Sequence, residues 1–178
     1  YVYMKELIDT LFFFFISVPA KTVLIKDNTH TDKLYFIKKG SVRVFYKKGN
    51  KEVTAELFLD NKIFTSAESF LFNESSIYIF ETMEDSILKY VTKESFDAFL
   101  KKSENSKDFF YQTLLKQSIG HIRSTVDLLK YKPEERYRRF ILQEPNIINR
   151  IPLNIIASYL GITNVSLSRI KNRKQKVS

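Results

Sequence analysis

"IASYLGITNVSLSRIKNRKQK" occupies residues 156–176. It opens as an apolar helical pattern, breaks at Gly161, and resumes as a second helix whose tail is almost wholly basic. A chain of 178 residues with only four glycines has placed one of them between two helices. The pattern predicts one helix over Pro152–Leu160, with Leu153, Ile156, Ala157 and Leu160 on a shared face and Ala157 small where two helices approach closely. Gly161 is predicted to end that helix in the left-handed conformation that glycine reaches most cheaply, and Thr163 to cap the next. A β-carbon at position 161 is expected to push the two helices out of register. Two helices joined by a short turn containing glycine make a helix-turn-helix, whose second helix enters the major groove of DNA.

The second helix divides by angle. At about 100° per residue, Leu167 and Ile170 point toward the first helix, whereas Val165, Ser168, Arg169 and Asn172 point away, flanked by Asn164 and Arg173. Arginine can grip guanine O6 and N7, asparagine can grip adenine, and valine can rest on a thymine methyl. Asn164, Val165, Ser168, Arg169 and Asn172 are therefore the candidate base-reading residues. Thr163, Lys171, Arg173, Lys174 and Lys176 are the candidate phosphate contacts.

Charge follows the same division. Residues 1–129 carry 18 Lys/Arg and 17 Asp/Glu, whereas residues 130–178 carry 11 and 3, and no acid follows Glu144. A nearly neutral front and a basic rear point to double-stranded DNA as the partner of the rear part, since a carboxylate beside phosphates would repel them. The chain has no cysteine, which excludes disulfides, iron–sulfur clusters and thiolate zinc sites and fits a reducing, cytoplasmic compartment. His30 and His121 are the only histidines and lie far apart, so neither a histidine metal site nor a cofactor is expected. A cupin-type enzyme would need several histidines and a carboxylate around one metal. The strand region offers one histidine, and no enzymatic activity is expected.

The front part reads as short strands. Thr22–Lys26, "KLYFIKK" (33–39), "SVRVFYKK" (41–48), "EVTAELFL" (52–59), "SIYIFETM" (76–83) and "SILKYV" (86–91) are alternating, β-branched or aromatic. Turn residues separate them, Gly49-Asn50 giving a hairpin signal. Six or more short strands in about 70 residues argue for an antiparallel β-barrel or jelly roll, within an α+β protein. The run "LFFFFISV" (11–18) resembles a signal-peptide core, but Glu6 and Asp9 precede it and it is short for a membrane span. It is expected to be an N-terminal helix with a buried aromatic face, and no membrane partner is expected.

Helical periodicity takes over from residue 93. A short helix is predicted over 93–101 and a long one over 105–130. In the long one Leu115, Ile119, Ile122, Val126 and Leu129 recur at spacings of 4, 3, 4 and 3, a heptad seam suited to a parallel coiled coil between two copies of the chain. Tyr111 extends the seam backwards, one position from the strict alternation. Pro133 begins a further helix, with Glu134 and Glu135 at the positive end of its dipole, running to about Gln143.

Strand domain, long helix and terminal helix-turn-helix, in this order, resemble the Crp/Fnr family of bacterial transcription regulators. "IASYLGITNVSLSRIKNR" looks like the helix-turn-helix of the subgroup common in Bacteroidetes. "VPAKTVLIKD", "KLYFIKKGSVRVFY", "ESFLFNESSIYIFETMEDSIL" and "PEERYRRFI" are also similar to that subgroup. The resemblance implies a cyclic-nucleotide-binding-like sensor domain over residues 1–104, a dimerisation helix over 105–131 and a DNA-binding domain over 132–178. It places base reading on Asn164, Val165 and Arg169. A wing implied after residue 173 is expected to be truncated or absent, since the sequence stops at Ser178.

The resemblance weakens at the effector loop. Family members that bind cyclic AMP hold its ribose with a Gly-Glu pair and its phosphate with an arginine. The equivalent stretch, "TSAESF" to "NESSI", has no Gly-Glu pair, and no Lys or Arg lies between Lys62 and Lys89. A cyclic phosphate buried without a cation is costly, and Glu74 would repel it. Tight cyclic AMP binding is not expected. Ser66, Glu68, Ser75 and Ser76 either line a pocket for another small-molecule effector or hydrogen bond within the loop. The expected function is a sequence-specific DNA-binding transcription regulator, a homodimer on an inverted repeat. The alternative is a cyclic-nucleotide or other small-molecule binding module whose basic C-terminus serves a protein partner.

Overall fold

A computed structural model describes residues 8–102 and 104–174. The chain divides into two compact units, Tyr1–Gln112 and Thr113–Ser178.

The first unit is a β-sandwich. Its strands are β1 (Phe14–Val18), β2 (Val23–Ile25), β3 (Lys33–Lys39), β4 (Val42–Lys48), β5 (Lys51–Phe58), β6 (Ile63–Phe64), β7 (Ile79–Thr82) and β8 (Ser86–Thr92). They form two four-stranded sheets in the orders β1-β8-β3-β6 and β2-β7-β4-β5, with every pairing antiparallel. The expected alternative of a barrel gives way to two facing sheets. Tyr35, Ile37, Phe64 and Leu88 from one sheet and Ile25, Val42, Val44 and Phe80 from the other form a single buried cluster. Each fully buried aliphatic side chain there is worth about 1.5–3 kcal/mol relative to exposure. Burial also pushes the Tyr35 phenol up to about 12, with Asp32 and Tyr90 adding to the effect.

The turns lie where the sequence marks them. Lys48 pairs with Lys51 across Gly49-Asn50, and Asn28, Asn61 and Asn73 adopt positive φ, a region asparagine tolerates better than most residues. Helix α1 (Ala67–Phe72) crosses between β6 and β7, and α2 (Lys93–Lys102) follows β8. The long helix α3 runs over Glu104–Lys130. Phe70 of α1 meets Phe96 of α2 at 5.4 Å, and Phe96 meets Phe110 of α3 at 4.5 Å, both edge-on.

The N-terminal aromatic run differs from expectation. The helix described there covers only residues 8–11, and Phe14–Val18 is an edge strand. Leu11 and Phe12 are buried, but Phe13, Phe14 and Phe15 are exposed. Pairing explains the difference. The run finds β8 in register from Phe14↔Tyr90 to Val18↔Ser86, Phe14 stacks on Tyr90 at 5.0 Å, and aromatic residues suit a pleated surface.

The second unit contains the later turns of α3, α4 (Pro133–Gln143), a 3₁₀ turn at Ile147–Asn149, α5 (Leu153–Tyr159) and α6 (Asn164–Lys174). No helix among the described residues is long and apolar enough to cross a membrane.

Gly40, in the β3–β4 turn, has φ +122°, and a β-carbon there would overlap Ser86 Oγ and lie 2.9 Å from Ser86 Cα. Gly40→Ala is expected to destabilise the sandwich by at least about 3 kcal/mol, from strained backbone and overlap together. Urea unfolding followed by tyrosine fluorescence measures the loss.

Candidate nucleic-acid interface

The two-helix corner is built from α5, a turn at Leu160–Thr163, and α6. Ile162 N–H donates to the Ala157 carbonyl at 3.0 Å, and Gly161 N–H donates to Ser158 at 3.1 Å. With Gly161 at φ +62°, these bonds form a Schellman motif that satisfies the last carbonyls of α5. Thr163 caps α6: the Ser166 N–H donates to its Oγ1 at 3.1 Å. The cost of replacing Gly161 differs from expectation. A β-carbon would meet only Leu128 Cδ2 at 3.6 Å and Arg136 Nη1 at 3.8 Å, which is ordinary contact. Position 161 needs glycine for its backbone conformation, not for space.

The faces of α6 separate by exposure. Leu167 is fully buried and Ile170 nearly so, along with Ile155, Ile156, Ala157 and Leu160 of the preceding segment. Asn164, Val165, Ser168, Arg169, Asn172 and Arg173 are exposed, as is Thr163, while Lys171 is half-buried. Val165 has 59% of its surface exposed. Lys174 is the last residue of α6, and Lys176 lies outside the described residues.

Three side chains link α4 and this corner to the end of α3. Arg139 Nε donates to Asp127 Oδ2 at 3.0 Å, a bond that raises the guanidinium pKa above its ordinary value. The Tyr159 hydroxyl reaches Ser124 Oγ at 3.4 Å, and the Tyr159 ring packs on Phe140 at 5.3 Å. Arg136 Nη1 donates to the Leu128 carbonyl at 3.0 Å, and its Nη2 lies 3.4 Å from the Gly161 carbonyl. Sequence reading assigned these residues no role. The only signal was an arginine pair at helical spacing, 136 and 139, facing one way.

The heptad positions on α3 point to solvent. Tyr111, Leu115, Ile119, Ile122, Val126 and Leu129 are all exposed, Leu129 to 85%.

Residues 15–103, half of the chain, match the cyclic nucleotide-binding domain. The chain belongs to that family. No curated protein sequence matches it, but solved structures do. FixK2 from Bradyrhizobium japonicum superimposes with a TM-score of 0.81 at 14% identity, over 92% of this chain and 84% of its own. CLP from Xanthomonas campestris, described as a c-di-GMP responsive global regulator, gives 0.73 at 14% identity over 99% and 92%. A protein from Thermus thermophilus, described as a transcriptional regulator of the CRP/FNR family, gives 0.71 at 17% identity over 93% and 87%. The Crp/Fnr resemblance read from the sequence thus holds for the fold of nearly the whole chain.

Within the cyclic nucleotide-binding domain, the candidate effector residues face different ways. Ser66 is buried and its Oγ lies 3.2 Å from Glu68 Oε2. Ser76 is buried and donates to the Tyr78 carbonyl at 2.9 Å. Ser75 is exposed, with its Oγ 3.3 Å from His30 Nε2. An open cavity of about 470 Å³ lies beside α1, lined by His30–Asp32, Ser69–Leu71, Asn73 and Lys93. It includes none of those four. Arg43, buried on β4, is already committed to Glu52 at 2.7 Å and Glu81 at 2.9 Å.

Gly161→Ala is expected to cost about 1–2 kcal/mol, the left-handed penalty without a clash. Gly161→Asn should cost less. Thermal unfolding of the two variants separates this from an overlap, which would make both severe.

Proposed function

We propose that the chain is a sequence-specific DNA-binding transcription regulator that acts as a homodimer on an inverted-repeat operator. The observation that carries this reading is the outward face of α6. Asn164, Val165, Ser168, Arg169 and Asn172 stand exposed over a buried Leu167 and Ile170, on a segment without an acid after Glu144. These side chains are the types that read base edges, and Thr163, Lys171, Arg173, Lys174 and Lys176 would hold phosphates. Two proteins that share the fold are named as regulators, which supports the same reading.

The exposed stripe of α3 supplies the dimer seam. Its alternating spacing is that of a two-stranded coiled coil, and leaving six large apolar side chains in water would be costly for a monomer. The working division is a sensor domain over 1–104, the dimerisation helix over 105–131 and the DNA-binding domain over 132–178. Two-fold symmetry would place the reading helices in half-sites about 34 Å apart.

Selection of bound DNA from a random pool should return an inverted repeat. Arg169→Ala should relax preference at one position per half-site by about 1–3 kcal/mol, while Lys171→Ala should weaken all sequences alike and lower the salt slope by about one. An asymmetric footprint, or an unchanged preference in Arg169→Ala, sinks the reading.

The effector is unidentified, and cyclic AMP is not bound tightly. A cyclic phosphate would find no cation between residues 63 and 88, and Arg43 is neutralised by two carboxylates. Titration calorimetry with cyclic AMP should give no saturable 1:1 heat. A strong heat would favour a ligand-binding module instead.

A further inference from the structure

Arg136 touches two chain segments far apart in sequence. Its Nη1 donates to the carbonyl of Leu128, in the last turn of α3, and its Nη2 lies within reach of the carbonyl of Gly161, in the turn that starts α6. The Leu128 carbonyl belongs to the last turn of α3, where the final acceptors lack partners within the helix and the dipole favours a cation, and the Gly161 carbonyl lies in the turn just past the end of α5. One guanidinium therefore sits between the negative end of α3 and the turn that follows α5. Its Nε is buried without a partner. Leu128 Cδ2 closes against Gly161 from the same side. The Arg139–Asp127 and Tyr159–Ser124 contacts reach α4 and α5, whereas Arg136 is bonded to the turn itself.

We infer that Arg136 is a positioning residue that fixes the direction of α6 relative to α3, and so sets which half-site spacing the dimer accepts. This rests on the reading proposed above, in which α3 forms the two-fold seam and α6 reads the groove. With the seam fixed, any swing of the corner as a unit about the end of α3 moves the two reading helices apart or rotates them around the duplex. One base pair of added spacing corresponds to a shift of about 3.4 Å and a rotation of about 34–36°. A corner held by the arginine fork cannot follow both. A corner without it retains its own core, its cap and its outward face, and so retains base preference.

The test uses the full chain and inverted repeats built on the selected half-site, with the spacer shortened or lengthened by one base pair, read by fluorescence anisotropy. Arg136→Met keeps the aliphatic stem and removes both bonds. Arg136→Lys keeps the charge and can serve only one carbonyl in a fixed direction. The native chain should lose roughly tenfold in affinity at either altered spacing, the scale of one mismatched base pair. Arg136→Met should lose only roughly threefold, with an unchanged half-site consensus, and Arg136→Lys should fall between them. If Arg136→Met does not fold, as judged by thermal unfolding, the lysine variant decides: an intermediate profile supports the inference and a native profile overturns it. A methionine variant as selective for spacing as the native chain overturns the inference and leaves the regulator reading standing. A native chain with no preference for inverted repeats overturns both.

Discussion

The burial of Leu167 and Ile170 is the constraint on which the rest of the candidate site depends. A helix of eleven residues with two apolar anchors three apart can sit on its neighbours in one rotation only. That rotation decides what the opposite side displays. Asn164, Val165, Ser168, Arg169 and Asn172 share no chemistry that would gather them, and they stand on one side because the anchors leave them nowhere else. The Schellman turn at Gly161 and the Thr163 cap fix where the rotation begins, so α6 is specified at its base and along its length.

Much of this was legible in the sequence. The strands β3, β4, β5 and β8 announce themselves through β-branched and aromatic runs bounded by turn residues. The asparagines at 28, 61 and 73 mark bends because few other residues take a positive φ at low cost. Helix α6 was legible for a different reason: Leu167 and Ile170 recur at the helical period, and Val165 is the one apolar residue off their face.

What was not legible depends on partners distant in the chain. Phe12–Phe15 has no alternation, so its period cannot tell helix from strand, and only β8 decides. Strand β6 is two residues long and α1 is six, too short for a period to register. Ser66, Glu68, Ser75 and Ser76 are neighbours in sequence, but the loop turns two of these side chains inward and one toward His30, so proximity did not make a pocket. Arg136 shows the same limit, because one of its partners is a carbonyl 25 residues away.

The N-terminal segment has a consequence for how the sandwich can be excised. Lys89 lies on the inner strand β8 with its side chain only 7% accessible, held by the Asp9 carboxylate and stacked over Phe15. An ammonium so enclosed is tolerable only with its counter-ion. A fragment trimmed to β1 would therefore strip the charge balance from an inner strand, although among the described residues it would delete no strand.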